Sequence, residues 1–234
     1  MAVTIGQASI DERGHITDGL AGNQSGKELN RCSWYANGWT LVLRPKSPAV
    51  ATKMVAACIA GVNNKHIGYD QSQRNTLRMY AKNAHWNLSQ ITTDCETDCS
   101  AFMAVCAEAA GVNMDITYTA GNAPATFQMR QQWYKTGAFE LLTDRKYLNS
   151  SDYLIAGDVL VNESRHTVMV LSDGRFAEEE REVVEKSKII VNGKEITVDR
   201  ILKNGTNYIK VRDIAAALDL KVSNKGNIAV LDSN

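Results

Sequence analysis

The chain has no uninterrupted apolar run of about 18 residues, the length a membrane-crossing helix needs, so no such helix is expected. Its first segment, MAVTIGQASIDERGH, lacks both a basic n-region and an apolar h-region, and no secretory signal is read from it. Neither sign of charge predominates, with 26 Lys+Arg against 26 Asp+Glu. That balance removes the general electrostatic case for nucleic acid or an anionic membrane as partner. Cysteines number only five, an odd count. Without a secretory signal that count reads as reduced thiols made in a cytosol. What is present suffices for a folded protein. An apolar fraction of 44% with 22% charge over 234 residues fills one or two cores and argues against a largely disordered chain.

Composition changes near residue 176. Before it lie every cysteine, histidine and tryptophan; after it come the charge run AEEEREVVEK and a tail rich in Ile, Val, Leu, Lys and Asn. The division expected is a larger segment over 1–178, a charged linker over 179–187 and a small module over 188–234. In the small module, KIIVNGKEITV is two alternating runs around Asn192-Gly193, a pair that tolerates positive φ at both turn positions. IKVRDIAAALDL places Ile214, Ala215, Leu218 and Leu220 at helical spacing with Asp213 as a cap, and KVSNKGNIAVL reads as a second hairpin turning at Lys225-Gly226. The runs IIVNGKEI, NYIKVRDIAAAL and GNIAVL resemble the copper amine oxidase N-terminal-like (stalk) module appended to many bacterial wall proteins. With no His or Cys in the segment, copper ligation is not expected. The resemblance implies wall attachment or self-association, so a homo-oligomer through this module is one partner expectation; a plain folded spacer is the other reading.

In the larger segment AVATKMVAACIAGVNN has Val50, Met54, Val55, Cys58 and Ile59 at helical spacing, QSQRNTLRMYAKNAHW reads as a second helix, and CSAFMAVCAEAAG as a third stopped by Gly111. YLIAGDVLV and HTVMVL are β-branched runs around the polar NESR and pair as a hairpin. Helices first and strands afterwards predict an α+β fold, with helices packed on an antiparallel sheet. The aromatics of CSWYANGWTLVLRP are read as core, and GHITDGLAGNQSGKEL as loop.

Cys99 is the residue that points to chemistry. It opens the third helix in TDCETDCSAFMAVC, where Asp98 or Thr97 can cap. The unpaired N–H groups and the positive end of the dipole there favour a thiolate. The carboxylates of Asp94, Glu96 and Asp98 oppose this, so an imidazolium partner is required. Of His15, His66, His85 and His166, only His166 opens a rigid apolar strand, and a strand-end His facing a helix-start Cys is a nucleophile–base arrangement.

TDCSAFMAVCAEAAG followed by AGDVLVNESRHTVMVLSDG resembles the cysteine peptidases of the NlpC type and their CHAP relatives, and the larger segment as a whole resembles the catalytic domain of a bacteriophage endolysin. The shared marks are a DCS helix start, a (L/I)xxGD strand and an HT strand in that order. The resemblance implies a papain-like domain, with Cys99 as nucleophile, His166 as base and Glu178, after the SDGRF turn, as the third polar group. It also implies that Tyr69 lines the substrate site, with Asp70 and Gln71 standing where the family usually has a glycine pair, and that Asp98 and Ser100 flank it. The expected substrate is bacterial peptidoglycan, cut at an amide bond of its peptide part by an amidase or an endopeptidase, with no metal, no cofactor and no membrane insertion. Storage in the host cytoplasm until release to the wall is the expected location. Two rival readings stay open: a wall-binding or assembly protein with a structural Cys99, and a papain-like acyltransferase or protease acting on a non-wall amide.

Overall fold

The computed structural model describes residues 2–20, 28–180, 184–203, 206–226 and 228–233, and the chain divides into units 1–177 and 178–234. In the first unit the order is β1 (Thr4–Ala8), β2 (Leu29–Ser33), β3 (Leu41–Pro45), α1 (Pro48–Asn63), β4 (Ile67–Tyr69), α2 (Thr76–Asn83), β5 (Cys95–Thr97), α3 (Cys99–Ala109), α4 (Thr126–Lys135), β6 (Phe139–Leu142), α5 (Arg145–Leu148), β7 (Val159–Asn162) and β8 (His166–Val170). The α+β class stands, but three strands precede the first helix, where the sequence pattern predicts helices first. These strands are short, and β1 carries Gly6 and Gln7, which dilute its alternation.

Six strands form one antiparallel sheet in the order β2-β1-β8-β7-β3-β6, so the N-terminal strands interleave with the last ones of the unit. Side chains alternate between its faces. Leu41, Leu43, Val159, Val161 and Met169 pack on one face with Met54 and Cys58 of α1 and Phe102, Met103 and Cys106 of α3. Val3, Ile5, Val42, Leu160, Val168 and Val170 pack on the other with Trp39, Tyr147 and Leu154. Both faces being covered explains why LVL, VLV and VMV read as unbroken apolar runs. The β7–β8 hairpin has the expected strands, with Asn162 opposite His166. Across its base, Asp158 of the GD pair grips Arg44 of β3 through Nε (2.8 Å) and Nη2 (2.7 Å), both side chains buried.

On α1 the face turned inward is Ala51, Met54, Ala57, Cys58 and Gly61; Val55 and Ile59 are only half-buried. Gly61 is there because Phe102 of α3 comes so close that a Cβ would lie 2.5 Å from its ring. α2 is shorter than its sequence pattern predicts and stops at Asn83.

The second unit begins with α6 (Ala177–Glu180), whose first residue belongs to unit 1. It continues with β9 (Val184–Val191), β10 (Lys194–Lys203), β11 (Thr206–Ile209), α7 (Val211–Ala217), β12 (Leu220–Lys225) and β13 (Ile228–Ser233). The stretch 179–187 thus holds the end of α6 and the first half of β9, with 181–183 outside the described residues. Asn192 and Gly193 form the two-residue turn, with φ of 49° and 76°, and Lys194 pairs with Val191. α7 starts after Lys210 and ends before Leu218. Asp213 lies in its first turn, and its carboxylate accepts the Asp199 N–H (2.9 Å) instead of capping the helix.

Candidate active site at the start of α3

Asp98 is the N-cap of α3, accepting the Ala101 N–H at 2.8 Å, and Cys99 is the first helical residue. The cap is itself held. Arg74, from the loop before α2, donates to both Asp98 oxygens (2.6 and 3.1 Å), to Ser100 Oγ (2.6 Å) and to the Ala123 carbonyl (2.7 Å). Asp98 and Ser100 are buried and committed to this clamp, which fixes the helix start. Arg74 has no motif to announce it in the sequence.

β8 reaches this point from the sheet. The β1–β8 ladder has Ile5 opposite Val170 and Gly6 opposite Met169, and goes no further. Leu171 N–H donates to the Thr4 carbonyl (2.8 Å), so by strand periodicity the N–H of Thr167 also points toward β1. The ladder stops short of it, and this N–H lies near enough to the Cys99 thiol to pull its pKa down. Asp98, the neighbour of Cys99, in turn acts electrostatically on His166, so the start of α3 and the start of β8 lie near one another. Tyr35 and Tyr69 lie within electrostatic reach of the same sulfur.

His166 is half-buried, and its Nε2 lies 2.9 Å from Gln7 Oε1. Gln7 follows Ile5 by two and His166 precedes Val168 by two, so both occupy the sheet face that carries those apolar residues. Tyr35 O–H donates to the same Gln7 oxygen (2.9 Å), and Gln7 Nε2 donates to Asn30 Oδ1 (3.1 Å) and Cys32 Sγ (3.6 Å). Sequence reading missed Gln7 and Tyr35. A signal did exist: Val3, Ile5 and Gln7 alternate with Thr4, Gly6 and Ala8, and a polar residue on the inward register of a strand calls for a partner. Glu178 is exposed and falls in the second unit.

The electrostatics differ from the sequence expectation. The Cys99 thiol is pushed up to about 12, first by burial and then by the Asp98 carboxylate; the Thr167 and Ser100 N–H groups and the Arg74 charge pull the other way. Burial also lowers His166 to about 4 against a smaller upward pull from Asp98. The Cys99 thiol and the His166 imidazole both rest neutral, and for the thiol, at 5% exposure, desolvation outweighs the partial charge of a helix end.

Tyr69, on β4, is buried, and its hydroxyl accepts from Gln71 Nε2 (3.1 Å). Gln71 is exposed. Asp70 is fully buried and used up as a clasp, taking Gly19 N–H (3.1 Å) and both the N–H and O–H of Ser72 (2.6 Å each). Behind it lies an acidic cluster. Glu28 accepts the Tyr69 N–H (3.0 Å), while both Glu96 oxygens are buried with no hydrogen-bond partner among the described residues. Gly68 makes the room, since a Cβ there would meet Glu96 Oε2 at 2.6 Å and Glu28 Oε2 at 2.9 Å. The Glu96 carboxyl is pushed up to about 8 by burial first, then by Glu28, Asp70, Glu12 and Asp11. Among the described residues no group of three His, Cys, Asp or Glu is placed to hold a metal ion.

Residues 5–177 match the family model for the endolysin-like domain. No curated protein and no solved structure matches the chain.

Proposed function

The chain belongs to the endolysin-like domain family, and from that premise we propose that it is a peptidoglycan hydrolase of NlpC/CHAP type. In this reading Cys99 and His166 cut an amide bond in the peptide part of the bacterial wall. What supports it most is the nearness of the start of β8 to the start of α3, where the Thr167 N–H pulls the Cys99 thiol down and Asp98 pulls His166 up. Because both groups rest neutral, attack and proton transfer are coupled. The sulfur bonds to the carbonyl carbon as its proton passes to His166. The Cys99 N–H, at a helix end without a helical acceptor, faces the developing oxyanion. His166 then protonates the departing amine, leaving a thioester. Water attacks the thioester with His166 as base, releasing the acid and restoring the thiol. Tyr69 lines the acyl side, and Arg74 with Asp98 keeps the helix start in place. The unit 178–234 attaches the enzyme to the wall or to another copy of itself, and the enzyme waits in the host cytoplasm until lysis.

Purified walls test this by turbidity and by mass spectrometry of the released muropeptides. Cys99→Ala is expected to lower clearing by roughly 10³-fold or more while still binding walls. New amino groups without free muramoyl ends identify an endopeptidase, and free muramoyl ends an amidase. The 5% exposure of Cys99 favours one other reading, a wall-binding protein with a structural thiol. Wall binding without clearing by the wild type decides for it, while undiminished clearing by Cys99→Ala refutes the thiol mechanism.

A further inference from the structure

We propose that Gln7 is the positioning residue that fixes the tautomer of His166, a role that rests on the thiol mechanism above. The amide of Gln7 is nearly enclosed, at 7% exposure, and both its ends are assigned by neighbours. Its oxygen receives the Tyr35 O–H, and its nitrogen gives to Asn30 Oδ1 and Cys32 Sγ. Tyr35 acts as donor across the whole working range, since burial pushes its phenol up to about 12. With the oxygen end thus turned to the imidazole, Nε2 of His166 must be the nitrogen that carries hydrogen. A neutral imidazole has one N–H, so Nδ1 keeps its lone pair and is the atom able to accept the Cys99 proton. An amide does this without adding charge, which leaves the base weakly basic in its buried site.

The backbone explains how a residue so near the N-terminus comes to serve a histidine so far along the chain. β1 is hydrogen-bonded to β8, and the diagonal step from the Gly6–Met169 pair brings residue 7 across from residue 166 on one face. β2 continues the support, because Asn30 lies opposite Gln7 in the β1–β2 register and Cys32 opposite Ile5.

The test uses the full chain with ¹⁵N-labelled histidine and three variants. In the wild type the His166 ring is expected as the Nε2–H tautomer. Gln7→Ala should show a mixture of tautomers and lose on the order of 10-fold or more in kcat, with KM within about 3-fold. Gln7→Glu places a carboxylate at the same position and should raise the acid limb of the kcat/KM profile by roughly 1–2 pH units. A residue that only held β1 in place would leave both the tautomer and that limb unmoved. An Nδ1–H ring in the wild type overturns the proposal, as does an unchanged ring in Gln7→Ala or an unshifted limb in Gln7→Glu. If Cys99→Ala proves fully active, the thiol mechanism falls, while the NMR spectra still show whether Gln7 governs the ring. Gln7→Glu and the wild-type spectrum keep the question decidable should Gln7→Ala fail to fold.

Discussion

Glu96→Gln isolates the cost of the acidic cluster beneath the site. In the folded chain this carboxyl titrates at about 8 against an ordinary 4.5. Between those values the native state holds a proton that the unfolded chain has lost, so stability falls as pH rises, by about 1.4 kcal/mol per pH unit. The ceiling over the whole window is about 5 kcal/mol, and relaxation of Glu28 and Asp70 away from the new charge brings the working figure to roughly 2–4 kcal/mol. Glutamine keeps the shape, removes the titration and can donate to Glu28. All four tryptophans lie in residues 1–177, so fluorescence-monitored denaturation reads that unit alone. At pH 5, only half a unit above the unfolded value, the variant and wild type should match within about 1 kcal/mol. By pH 9 the variant should be the more stable by the full amount, roughly 5–15 °C in Tm. Two stability curves that run parallel from pH 5 to 9 would refute the reasoning, since a charge-independent effect of the amide cannot change with pH.

Asp158→Ala removes the buried carboxylate that pairs with Arg44 and should cost about 3–5 kcal/mol in the same denaturation assay, while Asp158→Leu combined with Arg44→Met should recover most of it. A single-variant cost under about 1 kcal/mol would show the pair to be dispensable. Iodoacetamide labelling of the Cys99 peptide, followed by mass spectrometry, should accelerate steadily from pH 7 to 10, because burial keeps the thiol protonated. A rate plateau between pH 4 and 8 would instead reveal a resting thiolate–imidazolium pair.

The parts of the fold that were legible in the sequence are those set by local chemistry. Asp98 before an apolar helical run announced α3 and its cap, Gly111 at φ 91° its end, and Asn192-Gly193 the β9–β10 turn. The β7–β8 hairpin followed from two β-branched runs around a polar turn. What was not legible depends on distant partners. β1 and β3 are strands because residues more than a hundred positions away complete their ladders, and no window of sequence contains that information. The same applies to the site. Cys99 and His166 stand out as candidates from helix and strand starts, but Gln7 and Arg74 enter only through contacts across the fold. The ionisation state of Cys99 likewise turns on burial, which a helix-end argument does not measure.

The separation between residues 7 and 166 has a kinetic consequence. β1 can pair with β2 early, yet its other edge stays unfilled until β8 has been made. At 5–20 residues per second, ribosomal synthesis leaves that edge waiting roughly 10–30 s. Throughout that interval the growing polypeptide lacks His166, so under the proposed mechanism a chain cut short before β8 has no imidazole from that strand to receive the Cys99 proton.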